Sequence, residues 1–161
     1  EKESSDVRIL VISDVHSDLE NLIKALDRNR GADRVIFLGD IGTADGIIEE
    51  KFKNRAFVLS GNCDWSLPNP EQLFAVFEGK RVFACHGHRY SVKSGLGGLI
   101  AEAKRREADI VLFGHTHVPF EQYIDGAYYL NPGSLCRKGG SPSYGIVDIT
   151  KAGIVTNIIY I

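Results

Sequence analysis

The chain has 161 residues, of which 43% are hydrophobic and 25% are charged, and its formal net charge is −2 at pH 7. This length allows one domain with a sizeable buried core. The balanced charge and the lack of a basic stripe disfavour RNA or DNA as the main partner. No apolar run approaches the roughly 20 residues that a membrane span needs, so no membrane association is expected.

The three cysteines, Cys63, Cys85 and Cys136, are odd in number and widely spaced. They match neither a disulfide framework nor a C-x-x-C zinc pattern, and Cys85 lies in an apolar run that is typical of a core position. Because no signal peptide is visible either, we expect a reducing, cytoplasmic location. The sequence contains no methionine, and its polar residues 1–6 are expected to be frayed.

The first 64 residues alternate between apolar, β-branched runs and helical patterns. The predicted order is strand, helix, strand, helix, strand, at residues 7–12, 17–28, 35–38, 47–52 and 56–59. Ser17 or Asp18 is expected to cap the first helix, and Gly31 to end it. This order implies right-handed crossovers and a mainly parallel sheet, in which ligands bind beyond the carboxyl ends of the strands.

The rest of the chain is richer in predicted strands and hairpins. The strands are expected at residues 73–77, 81–85, 110–113, 120–124, 127–130, 144–149 and 153–160. One helix is predicted to open at residues 95–98 and to run to about Glu107, and Asp125-Gly126 is a strong hairpin turn. Because no linker and no internal repeat interrupt the pattern, we predict one α/β domain over residues 1–161, with two sheets.

Five of the predicted strands end in a cluster of polar side chains. The clusters are Asp14-x-His16, Gly39-Asp40, Gly61-Asn62, His86-x-His88 and Gly114-His115-x-His117. All five histidines of the chain lie in them. The pair His115 and His117, taken alone, is explained at least as well by a structural role. In an extended chain residues two apart point to the same side, so both of its imidazoles are expected to face one point.

Carboxylates, an amide oxygen and imidazoles form a mixed oxygen and nitrogen donor set without thiolates. Such a set suits Mn²⁺, Fe, Ni²⁺ or Zn²⁺ and argues against a structural zinc. The donors outnumber what one ion can use, whereas two ions about 3.5–4 Å apart with a bridging carboxylate would use them all. A pair of this kind clamps phosphoryl oxygens and makes hydroxide available near neutral pH. The residues therefore predict hydrolysis of a phosphoester.

The order of these motifs resembles the calcineurin-like metallophosphoesterase superfamily, and among its members the small single-domain phosphodiesterases of bacteria and archaea. The resemblance covers essentially the whole chain. It implies a four-layer α/β/β/α sandwich with two mixed sheets. It also implies a phosphodiesterase with two divalent ions, Mn²⁺ before Ni²⁺, Fe or Zn²⁺, in which a metal-bridging hydroxide attacks a small phosphoester, with nucleotide-like esters among the candidates.

The resemblance further implies a role for each matching residue, in two ligand sets that share one carboxylate. The sets are Asp14, His16 and His117 for the first ion, Asn62, His86 and His115 for the second, and Asp40 as the bridge. Asn62 is also a candidate contact to the substrate.

The chain departs from many members of that family at Cys63. Where they carry a histidine thought to protonate the leaving group, this chain reads Gly61-Asn62-Cys63-Asp64, as the small phosphodiesterase branch does. A thiol is a poor acid at neutral pH, so packing is expected for Cys63 before catalysis. Either the leaving group needs no proton or another acid serves. His88 is that candidate acid, with a role in orienting a ligand as the alternative.

Several neighbouring residues are weaker candidates for substrate contacts. Residues 131–134, Asn-Pro-Gly-Ser, match a family motif but also read as a plain tight turn. Arg137 could bind a substrate phosphate through its guanidinium. Trp65 and Leu67 could line a substrate rim, although a surface or interface role explains them equally well.

Three alternatives stay open at this point. The chain could be a phosphomonoesterase or nucleotide hydrolase of the same fold. It could instead be a binding scaffold that resembles the retromer subunit of the endosomal sorting machinery, although that protein's metal site is degraded and this chain keeps every ligand type. The late hairpins could also supply the edge of a homo-oligomer.

Overall fold

The computed structural model describes residues 6–64, 68–138 and 140–161, which leaves the rim candidates Trp65 and Leu67 and residues 1–5 outside the described part. The helices in these ranges are α1 Leu19–Arg28, α2 Asp45–Phe52 and α3 Gly97–Arg105. The strands there are β1 Val7–Ile12, β2 Arg34–Phe37, β3 Ala56–Val58, β4 Gln72–Phe77, β5 Lys80–Cys85, β6 Ile110–Leu112, β7 Phe120–Ile124, β8 Ala127–Asn131, β9 Ser143–Thr150 and β10 Gly153–Tyr160.

The strands form two five-stranded sheets. The first sheet has the order β10-β9-β1-β2-β3, and the second has the order β4-β5-β6-β8-β7. In the first sheet β1, β2 and β3 are parallel, and β9 and β10 join them antiparallel. In the second sheet β5, β6 and β8 are parallel, with β4 and β7 antiparallel at its two edges. The prediction of two mixed sheets is therefore confirmed.

Three apolar cores separate four layers of secondary structure. The side chains of β1 alternate, so Leu10 and Ile12 pack against α1 and α2 while Ile9 and Val11 pack against the second sheet. A third core joins the far side of the second sheet to α3. Because each sheet buries both faces, its central strands are almost continuously apolar. The implied α/β/β/α sandwich is confirmed.

Where the boundaries of the predicted elements differ from the structure, they move by one or two residues. Helix α2 begins at Asp45, two residues early, whereas α1 ends at Arg28 as predicted, three residues before Gly31. Asp18 occupies the N-cap position of α1, but its side chain makes no cap hydrogen bond. Its Oδ2 instead accepts a hydrogen bond from the backbone N–H of Arg137 at 3.2 Å, so a tertiary contact replaces the expected local one.

The three cysteines are free, as expected, and Cys85 is 2% exposed in the core beneath α3. Burial raises the pKa of its thiol to about 12, which fits a packing role. The described ranges contain no helix with both the length and the apolar character that a bilayer crossing demands.

Candidate metal centre

The polar strand ends meet where the two sheets face each other. Asp14 and Asp40 follow β1 and β2 of the first sheet, and His86 and His115 follow β5 and β6 of the second. Asp14 and His86 are fully buried, and Asp40 is only 3% exposed. Buried carboxylates and imidazoles are costly unless they are paired or bind a cation, so this edge is a candidate metal centre.

The backbone of the centre is unusually strained. Six of the eleven non-glycine residues with positive φ in the described part of the chain lie here. Such conformations cost about 1–3 kcal/mol each and gather at functional sites. The six residues are Asp14, His16, Ser17, Asp40, His115 and His117, with φ between 44° and 74°.

The expectation that His115 and His117 face one point is wrong, because both residues have positive φ. The chain is not extended there, so the two-residue period of a strand does not apply. His117 Nε2 lies 3.2 Å from His16 Nε2, whereas His115 Nδ1 lies 3.1 Å from His86 Nε2. The pair is split between two neighbouring groups of donor atoms.

The first group consists of Asp14, His16 and His117. Asp14 Oδ1 lies 3.1 Å from His117 Nε2 and 3.5 Å from His16 Nε2. Ligands bonded to one ion at about 2.1 Å are roughly 3.0–3.4 Å apart at the usual bond angles. The separations of these three atoms are therefore those of donors around a shared cation.

The second group consists of His86 and His115, with Asp40 between the two groups. Asp40 Oδ2 lies 3.4 Å from His86 Nε2 and 3.6 Å from His16 Nε2. The Nδ1 atom of His86 lies 2.8 Å from the carbonyl oxygen of Leu38. Since a carbonyl only accepts, Nδ1 carries the proton and Nε2 keeps a free lone pair towards the group.

One carboxylate oxygen provides a direct test of whether a cation fits. Asp14 Oδ2 accepts hydrogen bonds from Ser13 Oγ and from the backbone N–H of His115. Asp14 Oδ1 is buried and has no hydrogen-bond partner among the described residues. It faces the ring nitrogens of His16 and His117. A metal ion would satisfy this oxygen and those nitrogens together, so the residues fit a metal.

The charge states of the centre follow from its contacts. Burial opposes ionisation of Asp14, but its close contacts with the imidazoles of His117 and His16 outweigh it and hold the pKa of this carboxyl far below its usual range. The neighbouring carboxylate of Asp14 raises the pKa of His16. Burial and the neighbouring charge of His86 lower the pKa of His115 to about 4. Near neutral pH His115 is therefore in its ligating form.

Asn62 and Cys63 lie on the open side of the centre, and both are exposed. The one side-chain hydrogen bond of Asn62 within the described residues is a long one, from Nδ2 to Cys63 Sγ at 3.6 Å. No hydrogen bond among the described residues joins Asn62 to His86 or His115, so its place in the second set stays a prediction. The backbone N–H of Cys63 donates to Asp40 Oδ1 at 2.9 Å, which ties this loop to the carboxylate between the two groups.

His88 lies beside the second group without joining it. Its ring centroid is 5.5 Å from that of His86 and 6.1 Å from that of His115. Burial and the charge of His86 lower the pKa of His88. A histidine with a lowered pKa is mostly neutral near pH 7 and has no extra proton to donate, which disfavours the acid role.

Four residues that support the centre were either missed or treated as minor in the sequence-based prediction. They are Asp64, Ser13, Asn131 and Ser134. Asp64 is 6% exposed, and its carboxylate accepts hydrogen bonds from the backbone N–H groups of Asp40, Ile41 and Gly61 at 2.6–3.1 Å. Ser13 bonds Asp14, as described above. The signal for both was available, because each lies directly beside a predicted strand-end cluster.

The turn at residues 131–134 is also more than a tight turn. Asn131 Nδ2 donates to the carbonyl oxygen of Gly114 at 3.1 Å and to Thr116 Oγ1 at 2.9 Å. Ser134 Oγ donates to the carbonyl oxygen of Asp14 at 2.7 Å. The turn thereby holds the loops of both sheets in position.

Two polar cavities flank the donor groups. One, of about 470 Å³, lies on the side of the second group and is lined by Asn62, Glu71, His88 and Arg89, among others. The other, of about 460 Å³, lies beside His16 and is lined by Ser17, Asp18, Arg137 and Lys138, among others. Arg137 is exposed in it, with Nη2 3.3 Å from Glu20 Oε2. The substrate candidates Asn62 and Arg137 thus line different cavities.

Comparisons with known proteins agree with this geometry. A family model described as the calcineurin-like phosphoesterase superfamily domain matches residues 7–152. A phosphodiesterase of Methanocaldococcus jannaschii is 29% identical over 168 aligned positions, which cover 90% of this chain and 95% of that protein. A predicted phosphoesterase of Streptococcus pneumoniae superposes with a TM-score of 0.78 at 26% identity, over 97% of this chain and 98% of the other.

A third neighbour bears on the scaffold alternative. Vacuolar protein sorting 29 of Cryptosporidium parvum superposes with a TM-score of 0.79 at 16% identity, over 97% of this chain and 98% of the other. At that identity the likeness shows a common fold and carries no argument about function.

Proposed function

Because the chain belongs to the calcineurin-like phosphoesterase superfamily, a metal-dependent family of hydrolases, we propose that it is a binuclear phosphodiesterase acting on a small phosphodiester. The observation that carries the proposal is the position of Asp40 Oδ2, 3.6 Å from His16 Nε2 and 3.4 Å from His86 Nε2. An oxygen with a separate imidazole on either side is placed to bridge two ions.

In this proposal each donor group holds one ion. Asp14, His16 and His117 would hold the first, His86 and His115 the second, and Asp40 would be shared. Asn62 would complete the second set through its amide oxygen. When bound, the two ions supply Lewis acidity to the phosphoryl oxygens and allow water to act as a nucleophile near neutral pH. Mn²⁺ is the first candidate, and the mixed oxygen and imidazole donors would also accept Ni²⁺, Fe or Zn²⁺.

The protein's own residues orient the donors and balance their charge. Asp14 and Asp40 offset the positive charge that the centre would gather, and Leu38 holds His86 in the tautomer that leaves Nε2 free. Neither candidate acid is poised to donate a proton, since the pKa of His88 is lowered and burial together with the charge of Asp40 raises the pKa of Cys63. The centre therefore suits an ester whose leaving group needs no proton.

The two flanking cavities support a diester over a monoester. A diester has two organic groups on its phosphorus, and cavities of about 470 and 460 Å³ lie one on each side of the donor groups. Arg137, in the cavity beside His16, would contact the phosphate or its ester group in place of its exposed ion pair with Glu20.

The test is hydrolysis of bis-p-nitrophenyl phosphate by metal-depleted protein with and without added Mn²⁺, with p-nitrophenyl phosphate alongside. We expect metal-dependent cleavage that favours the diester. Faster cleavage of the monoester would instead support the monoesterase or nucleotide-hydrolase alternative. Protein that neither contains nor binds a transition metal would contradict the proposal and favour the scaffold.

The ligand assignment has its own test in metal stoichiometry. The variants H117A and H115A should each lose one of two ions, and different ones, because the two histidines face different groups. H88A is the matched control, since it removes a neighbouring histidine that joins neither group, and it should retain two ions. Two ions retained by H117A would show that the assignment is wrong.

A further inference from the structure

Cys63 is the unexpected residue at the centre. Its Sγ, a carboxylate oxygen of Asp40 and a ring nitrogen of His16 all lie within 4.8 Å of one another. The loop that carries it is held against Asp40, because the backbone N–H of Cys63 donates to Asp40 Oδ1 at 2.9 Å. A Cβ atom at Gly61 would collide with that same oxygen, so the loop has little freedom to withdraw.

An independent observation shows that this corner is built for a cation. Asp14 Oδ1 is fully buried, has no hydrogen-bond partner among the described residues, and lies 3.5 Å from His16 Nε2. The thiol therefore does not stand alone. It lies within 4.8 Å of a ring nitrogen of His16, one of the two imidazoles that face this carboxylate oxygen.

We propose that the Cys63 thiolate is a further ligand of the ion held beside His16. The inference rests on the proposed function, since it needs that ion. Sulfur and nitrogen ligands of one zinc ion, bonded at about 2.3 and 2.1 Å, would lie roughly 3.6 Å apart at a tetrahedral angle. Atoms that already lie within 4.8 Å of one another would reach that separation through rotation of the exposed Cys63 side chain. On binding, the Sγ–H proton leaves to solvent, because a divalent ion deprotonates a coordinating thiol.

The added sulfur changes which ions the centre prefers. A thiolate is a softer donor than a carboxylate or an imidazole, so it favours Zn²⁺ or Co²⁺ relative to Mn²⁺. Metal binding would also explain the presence of Cys63, whose thiol is badly suited to acid catalysis. The other cysteines do not compete, since Cys85 is buried in the core and Cys136, although it lines the cavity beside His16, belongs to no group of possible metal ligands among the described residues.

The experiment is titration of the metal-depleted full chain with Co²⁺, followed by absorption spectroscopy. Bound Co²⁺ shows ligand-field bands in the visible range whatever its donors, whereas a sulfur–cobalt charge-transfer band in the near ultraviolet requires a thiolate ligand. We expect both in the wild type, loss of the near-ultraviolet band in C63S and C63A, and its retention in the matched control C136S. Circular dichroism checks that the variants are folded.

The outcomes separate the two proposals. Visible bands without the near-ultraviolet band in the wild type, or a near-ultraviolet band that persists in C63S, would overturn the role of Cys63 and leave the phosphodiesterase proposal standing. The absence of any Co²⁺ bands would overturn the proposed metal centre itself, and the role of Cys63 with it. In competition, C63S should also shift the bound metal from Zn²⁺ towards Mn²⁺.

Discussion

The two sheets contribute different chemistry to the same centre. The first sheet supplies the two carboxylates of the donor groups, Asp14 and Asp40. The second sheet supplies three of the four imidazoles in these groups, His86, His115 and His117. Carboxylates alone would repel one another, and imidazoles alone would hold hard cations poorly. The difference shows that neither half is a metal site without the other.

Each sheet also positions the other sheet's donors. His86 of the second sheet bonds to the Leu38 carbonyl of the first at 2.8 Å, and the backbone N–H of His115 donates to Asp14 Oδ2 at 3.1 Å. The face-to-face packing of the sheets therefore sets the geometry of the centre. The substitutions below disturb one sheet's contribution at a time.

The largest effect is expected from D40N, which removes the charge shared by the two groups. An ion stabilises the charge of a phosphoryl transition state by several kcal/mol, so loss of one ion should lower kcat/KM by on the order of 10³-fold. Metal analysis should find at most one ion per chain. Two retained ions with undiminished metal-dependent activity would contradict the bridging role of Asp40.

The next largest effect is expected from D64A, which disturbs the loops at the end of the first sheet without removing a metal ligand. Three backbone N–H groups would lose a charged acceptor, so the free energy of unfolding should fall by roughly 2–4 kcal/mol. Metal affinity should fall by about 10–100-fold, as when supporting residues of metal sites are lost. Urea unfolding and metal titration measure the two quantities.

The matched control is D109A. Asp109 also accepts a backbone N–H, that of Arg81 at 2.8 Å, but it lies at the other end of β6. It should cost some stability and leave metal affinity unchanged. Equal losses of metal affinity in D64A and D109A would show that Asp64 has no special role at the centre.

A smaller effect is expected from G114A, which strains the contact between the sheets. A Cβ atom there would collide with Ser13 Oγ and come within 3.0 Å of Asp14 Oδ2. Overpacking of this kind costs about 1–3 kcal/mol. G97A is the control, because a Cβ at Gly97 meets nothing within 4 Å, and its stability should change by less than about 0.5 kcal/mol. Equal unfolding midpoints for the two variants would exclude the steric conflict.

The smallest effect is proton release on metal binding. The neighbouring carboxylate of Asp14 raises the pKa of His16, and for His86 burial is outweighed by the nearby carboxylates of Asp40 and Asp14, which raise the pKa as well. These protonated imidazoles stabilise the metal-free fold below pH 6.5, and that contribution is lost as the pH rises through the raised values. Metal ions compete with the same protons, so affinity should increase over this interval.

Calorimetry in two buffers of different ionisation enthalpy at pH 6.5 and pH 8 measures the protons released. The imidazoles are expected to release up to two protons at the lower pH and fewer at the higher, and the proposed binding of Cys63 adds one thiol proton at both. H88A should release the same number, because the pKa of His88 is already lowered. Identical heats in the two buffers at pH 6.5 would mean that neither imidazole is protonated before the metal binds.

Much of the fold could be predicted because the apolar runs are nearly continuous and end in polar clusters. A strand buried on both faces needs apolar side chains throughout, and β1 and β6 meet that need. The hairpin turn at Asp125-Gly126 was also predictable, since both residues have positive φ, at 47° and 90°. The cap of α1 was not, because Asp18 bonds to a residue 119 positions away.

The sequence by itself determined the strands, the polar residues at their ends and hence the kinds of donor that the protein offers. Only the tertiary structure decided which donors lie together. His115 and His117 are two residues apart, yet left-handed backbone turns them towards different partners, and Asp14 meets the backbone of His115 across 101 positions. Local periodicity carries no information about such contacts, because they depend on how two separately built sheets pack against each other.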